Sequence, residues 1–211
     1  MLEHRRRRAP GRPPLTKSTS SPSRIVYNAL DVKGWLARPP SAAEARPGRC
    51  PGCDAASRPV GGALGLHGHG LRDRQLRGPL AADGEPTTAV VWCRRYRCTR
   101  CRAIVLVMPR GVAPRRQYSQ AAIAMALALW GLMAMPAEAV RERVCTWRAR
   151  GQASAGWSTL RRWAQAARTT AGPTLREVAG RAAQVAVGRA PPGDRRAPLW
   201  AQAFAGGASM P

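Results

Sequence analysis

Two cysteine pairs of identical spacing, CPGC at 50–53 and CTRC at 98–101, are the residues of this sequence best equipped for chemistry. Two thiolates on one tight turn can grip a metal ion, and a second pair on another turn completes a tetrahedron of sulfur with no position open to water. That donor set is the one structural zinc uses. Cys50, Cys53, Cys98 and Cys101 are therefore the expected ligands of one structural Zn2+, whose binding would hold together a fold poor in large apolar residues. Pro51-Gly52 permits the bend in the first pair, and a polar residue, Asp54 or Arg102, follows each second cysteine. The 44 residues between the pairs exceed the roughly fifteen to twenty of common zinc ribbons, so a longer hairpin must intervene. The competing reading, free thiols or thiol–disulfide exchange, lacks the βαβ context that a redox C-x-x-C requires.

Cys93 and Cys145 remain. Both fall in apolar patterns and read as small buried hydrophobes, with Cys93 as a replacement ligand the alternative. His67 and His69 in LHGHG invite a catalytic zinc, but an open site would require the ion to ignore well-placed cysteines. The better functional expectation is that His67, His69, Arg72, Arg74 and Arg77 form a polar strand edge that touches phosphate; a merely solvated strand face is the alternative.

The elements that must position these groups are constrained by composition. The 211 residues suit one ordinary domain or two small ones, and two small units fit better. Gly 21 and Pro 19 are many, Phe 1 and Tyr 3 are few, and seven tryptophans carry the aromatic core. Net charge is +24, and of 35 basic residues only Lys17 and Lys33 are not arginine. A GC-rich coding sequence also produces such an arginine excess, but a field of this sign attracts polyanions whatever its origin. Arg5 to Arg8 precede no apolar segment, so no export signal is read. A reducing cytoplasm, at the nucleoid, is the expected compartment. Gln117 to Ala137 carries no charge, yet its small residues suit a buried helix better than a membrane span.

The chain divides into a disordered basic leader (1–24), a linker or short docking segment (25–44), a four-cysteine ribbon (45–112), a helical domain (117–188) and a disordered tail (189–211). TTAVVWCRRYR (87–97) reads as a strand with Val90, Trp92 and Tyr96 on one face, and AIVLVMP (103–109) as another, stopped by Pro109. LGLHGHGLRDRQLRG (64–78) is a weaker strand because of its glycines. From Tyr118 the apolar period lengthens to about 3.6. Helices are expected over 119–135, 137–150, 157–168 and from Thr174, where Glu177 spells a capping box, to Gly188. The fold class is α+β.

Within the third helix, WSTLRRWAQAAR, Trp157, Leu160, Trp163 and Ala167 form an inward face while Arg161, Gln165 and Arg168 line another. A third helix carrying exposed Arg and Gln is how helix-turn-helix proteins read the major groove, where Arg pairs with guanine and Gln with adenine. The expected DNA-contacting positions are Ser158, Thr159, Arg161, Arg162, Gln165 and Arg168. A bundle with an ordinary charged face is the alternative. The six-residue turn GQASAG is longer than the tight form of the motif.

RCPGC, LHGHGLRDRQLRG, VWCRRYRCTRCRAIVLVMPRGVAPRRQYS and the later STLRRW together resemble the amino-terminal region of bacterial insertion-sequence transposases, over about residues 45–170. The resemblance implies a four-cysteine zinc ribbon ahead of a DNA-binding helix-turn-helix, with the four named cysteines as ligands. Such transposases continue into a domain whose carboxylates hold two Mg2+ ions. After Arg168 this sequence has only Glu177 and Asp194, so no enzymatic activity is expected. The expected function is zinc-stabilised binding of double-stranded DNA, with a homodimer open and no membrane partner. The alternatives are an RNA- or protein-binding ribbon adaptor, or a subunit of a metal-dependent transposase or nuclease.

Overall fold

The computed structural model describes residues 24–147 and 157–210, so the leader lies outside it except for Arg24. The architecture is α+β, a four-stranded mixed sheet with six α-helices among the described residues. Strand β1 (Arg24–Asp31) runs into α1 (Val32–Ala37), which Asp31 caps by accepting the Gly34 N–H at 2.8 Å. The docking segment thus supplies both a strand and a helical turn. Strands β2 (Leu66–Gly78), β3 (Thr87–Cys98) and β4 (Ile104–Arg110) complete the sheet in the order β1-β4-β3-β2. β1 and β4 are parallel, and the other neighbours are antiparallel.

Glycine does not weaken β2 as its sequence suggests. Its pairing with β3 shifts between Gly68 and Leu71, and Gly70, at φ +80°, takes up the extra residue in a conformation that side chains disfavour. Nor does Pro109 stop β4. The pairing of β1 with β4 jumps from Tyr27–Met108 to Asp31–Arg110, leaving a residue without an N–H where no ladder bond is needed.

By the alternation of a strand, Val90, Trp92, Arg94, Tyr96 and Cys98 share one face of β3. That face is covered over only half its length. Tyr96 and Cys98 are buried, and the Tyr96 hydroxyl donates to the Ala42 carbonyl at 2.8 Å, whereas Val90 and Trp92 are exposed. At the Val90 end it is the opposite face, through Val91 and Cys93, that enters the core. Val90, Trp92 and Tyr96 thus share a face as their spacing predicts, but the covering layer changes sides midway along the strand.

The helical half comprises α2 (Gln120–Gly131), α3 (Ala137–Val144), α4 (Ser158–Ala167), α5 (Leu175–Val187) and α6 (Leu199–Ala208). Ser119 caps α2 by accepting the Ala122 N–H at 3.0 Å. The uncharged α2 is buried nearly all round because α3, α4, α5 and α6 pack against it. No helix among the described residues is long and apolar enough to cross a membrane. α3 ends at Val144, where Cys145 leaves it in an extended conformation, short of the longer helix expected; residues 148–150 of that expectation lie outside the described residues.

The expected disordered tail is also corrected. A 3-10 turn at Pro192–Asp194 leads to α6, which buries Ala203 and Phe204 in the helical core. Its packing depends on glycine: a Cβ on Gly206 would lie 1.8 Å from the Ala186 carbonyl oxygen, and one on Gly207 2.8 Å from that of Gln120. The sheet and the helices join at the end of β2. The Arg77 N–H donates to the Gln117 carbonyl at 2.6 Å, the Ser119 N–H donates to the Arg77 carbonyl at 3.3 Å, and Gly78 lies against Ala122.

Candidate functional site

The two cysteine turns are backbone replicas of each other. The Cys50 N–H donates to the Ala55 carbonyl and the Asp54 N–H returns to the Cys50 carbonyl, both at 2.9 Å. The Cys98 N–H donates to the Ala103 carbonyl and the Arg102 N–H to the Cys98 carbonyl, both at 3.0 Å. The residue after each second cysteine closes the turn in the left-handed region, Asp54 at φ +55° and Arg102 at φ +64°. The polar identity of these residues was visible in the sequence; their conformation, which needs a short side chain or a local compensation, was not.

These turns bring the four thiols together. Cys50 Sγ lies 3.7 Å from Cys101 Sγ, Cys53 Sγ lies 3.7 Å from Cys98 Sγ, and all four sulfurs fall within 4.8 Å of one another. A metal at about 2.3 Å from each of four tetrahedral sulfurs requires edges of about 3.8 Å, close to both distances. No pair is bonded as a disulfide, which would bring sulfurs to about 2.05 Å. Cys50, Cys53, Cys98 and Cys101 are positioned to hold a metal ion, and the all-sulfur set is compatible with a structural zinc. Among the described residues it is the one group of three or more metal-binding side chains so gathered.

The two buried thiols of the cluster are shifted in opposite directions. Burial pushes Cys50 up to about 11, against the N–H groups of Gly52 and Cys53, the former 3.3 Å from its sulfur. Burial also opposes ionisation of Cys98, but the N–H groups of Cys101 and Arg100 and the thiols of Cys101 and Cys50 outweigh it and bring the group down to about 7. Four crowded thiolates repel one another, so full ionisation calls for a cation at their centre. Cys50 and Cys98 are buried, Cys53 is half-buried and Cys101 exposed, so the rim of the site reaches solvent.

The remaining sequence candidates divide. Cys93 points from the face of β3 opposite Cys98, is fully buried, and has its thiol pushed up to about 11 by burial; it stands apart from the cluster. Cys145 is buried and accepts hydrogen bonds from the Tyr118 hydroxyl at 3.0 Å and the Trp147 N–H at 3.4 Å. Burial and that thiol raise Tyr118, keeping its phenol neutral. The anticipated basic edge is split: His67, His69 and Arg72 are exposed, Arg77 is half-buried, and Arg74 folds inward to donate to the carbonyls of Ala113 and Arg116 at 3.1 and 3.0 Å.

On α4, Leu160, Trp163 and Ala164 are buried, with Trp157 buried at its cap. Tyr118, Trp157 and Trp163 form an edge-to-face triangle with centroids 5.0–5.9 Å apart, anchoring the helix from behind. Ser158, Arg161, Arg162 and Gln165 are exposed and Thr159 is half-buried. Arg162 Nη2 reaches Ser158 Oγ at 3.4 Å. Arg168 is different: half-buried, it donates to the Pro173 carbonyl at 3.0 Å and so braces the turn into α5. The GQASAG turn lies outside the described residues.

Fold and thiols together define an α+β protein with a four-sulfur site, on paired turns beside its sheet, positioned for one metal ion. The chain belongs to the family described as a domain of unknown function, DUF6431, whose profile matches residues 50–163, just over half of it. The match begins at the first clustered cysteine and ends at the buried Trp163 of α4. No curated protein and no solved structure matches the chain.

Proposed function

We propose that this chain is a non-catalytic, zinc-stabilised DNA-binding protein, acting on the nucleoid, with its front half a zinc ribbon and α4 as the reading helix of a helix-turn-helix. The bound ion supplies folding free energy and no reaction chemistry. The observation that carries the reading is the division of α4: Trp157, Leu160 and Trp163 are locked inward while Arg161, Arg162 and Gln165 stand in solvent. A net charge of +24 supplies phosphate attraction, and the exposed Arg and Gln supply base-edge donors. The resemblance to transposase DNA-binding regions supports the same assignment. Arg168, committed to Pro173, is a brace in this scheme and leaves the reading face to the other five positions.

The test is selection of duplexes from a randomised pool, followed by affinity measurement for the enriched site over a range of salt. Wild type should enrich one site and lose affinity steeply with salt. The double variant Arg161→Ala, Gln165→Ala should lose about 1–3 kcal/mol of discrimination at each contacted base pair while retaining its fold. Equal enrichment by wild type and variant would remove α4 as the reader. Preference for RNA over duplex DNA, or Mg2+-dependent strand cleavage, would replace the proposal with an adaptor or a nuclease.

A further inference from the structure

All seven tryptophans lie among the described residues, and two are exposed: Trp92, at 52%, and Trp147, at 64%. Both belong to one surface. Trp92 shares its face of β3 with Val90 and Thr88, and the cross-strand partners on that face are Asp73, Gln75 and Arg77 of β2. At its end the Thr88 hydroxyl meets that of Thr146 at 3.4 Å, and the Arg77 guanidinium sits 5.2 Å over the Trp147 ring. At the other end Leu71, also exposed, pairs with the half-buried Arg94, whose Nε is tied to the Pro40 carbonyl at 2.9 Å and whose positive charge is thereby fixed beside Trp92. An apolar stripe therefore runs along the outer face of the β2–β3 hairpin, with an indole near each end and an arginine beside each indole.

The stripe is held rigid. β4 pairs with β3 only at Arg94–Arg97, and beyond that the Trp92 carbonyl accepts the indole N–H of the buried Trp35 at 3.1 Å. A half-exposed Trp on a fixed backbone loses little freedom when a flat partner stacks on it.

We infer that this face binds single-stranded DNA, with bases stacked on Trp92 and Trp147 and phosphates drawn to Arg94 and Arg77. Exposed aromatics in a basic field are the means by which proteins hold single strands without sequence preference. A duplex hides the faces of its bases and cannot use such a stripe. A second copy of the chain is disfavoured, because two bodies of charge +24 repel. The one carboxylate on the stripe, Asp73, lies opposite Trp92 and steers phosphates to the arginine-bearing ends. The choice of DNA rests on the reading of α4 as a DNA-binding helix; the stripe would then engage a strand that is unpaired near the bound duplex.

The experiment uses the full zinc-loaded chain and labelled oligothymidylate, followed by fluorescence anisotropy at fixed salt. Trp92→Ala should weaken binding by about five- to hundredfold. Trp92→Phe, which keeps a stacking ring, should retain most of it, and both should bind duplex as wild type does. Undiminished binding by Trp92→Ala overturns the inference, as does equal loss in the Phe variant. So does tighter binding of oligouridylate, or a dimer in sedimentation that Trp92→Ala dissolves. Selective loss of oligothymidylate by Trp92→Ala supports it even where Arg161→Ala, Gln165→Ala binds duplex normally, an outcome that would remove the α4 reading alone.

Discussion

Cys50 Sγ and Cys101 Sγ stand 3.7 Å apart although 51 positions separate them in the chain. Two structurally equivalent turns hold them there, each directing N–H groups at its own first cysteine. Removing one sulfur leaves three and opens a position to water. Cys101→Ser should therefore lower the metal content of the purified protein well below the one equivalent expected of wild type, as elemental analysis would show. Because structural zinc contributes about 10–16 kcal/mol, a sum comparable to the whole stability of a domain, chelation should abolish the cooperative melt of the sheet. A chelated protein that melts as before would deny the site a structural role.

Arg102 occupies the left-handed region at φ +64° with its side chain exposed. A β-branched residue is poorly tolerated there, so Arg102→Val should cost about 1–2 kcal/mol in denaturant unfolding, and Arg102→Gly should be neutral or better. The ranking separates backbone strain from loss of the charge, which both variants share.

Much of this site is legible in the sequence because its determinants are local. A C-x-x-C turn needs only its own residues, the Thr174–Glu177 capping box is spelled within four positions, and Leu160 and Trp163 declare the buried side of α4 by spacing alone. What escapes local reading is decided by distant residues. Alternation placed Val90, Trp92 and Tyr96 on one face of β3, but the cover over Tyr96 comes from Ala42 and its neighbours and stops before Trp92. LWAQAFAGGA carries two glycines and little helical signature; it is helical because those glycines let its backbone touch α2 and α5.

Glycine also sets the crossing of α2 and α5. A Cβ on Gly131 would lie 2.2 Å from the Gly180 backbone nitrogen, whereas one on Gly180 would meet nothing nearer than 3.3 Å. Gly131→Ala should cost about 3 kcal/mol, because backbone must move to admit it. At Gly180→Ala a gain in helix propensity of about 1 kcal/mol offsets the tighter contact, leaving stability nearly unchanged. Paired urea titrations at neutral pH would check the asymmetry.

Glu177 accepts the Thr174 N–H at 2.7 Å, and bonds from the Thr174 backbone and hydroxyl hold its carboxyl below the ordinary carboxylate value of 4.5. A carboxyl lowered in the folded state stabilises fully above its unfolded pKa and loses that contribution as pH falls through the folded one. Glu177→Gln should therefore be less stable than wild type at pH 7, with the difference fading as pH drops below 4.5. Taking the difference between the two proteins at each pH cancels the loss of metal in acid. Thr174→Ala, which removes the cap itself, should cost about 1 kcal/mol.

The family match ends at Trp163, inside α4, yet the core it leaves behind is incomplete. α2 is apolar around its whole circumference, and two of the helices that cover it, α5 and α6, lie beyond the matched region. A fragment of residues 50–163 would expose that surface and would also lack β1, which pairs with β4, and Trp35, which fixes Trp92. It should fail to unfold cooperatively and should bind a hydrophobic dye even when loaded with zinc. In the full chain Phe204→Ala should cost about 3–5 kcal/mol, because the vacated volume lies where α6 enters the helical core. A stable, soluble fragment would show instead that α5 and α6 are a dispensable cover, and that the metal turns and α4 suffice to organise the fold.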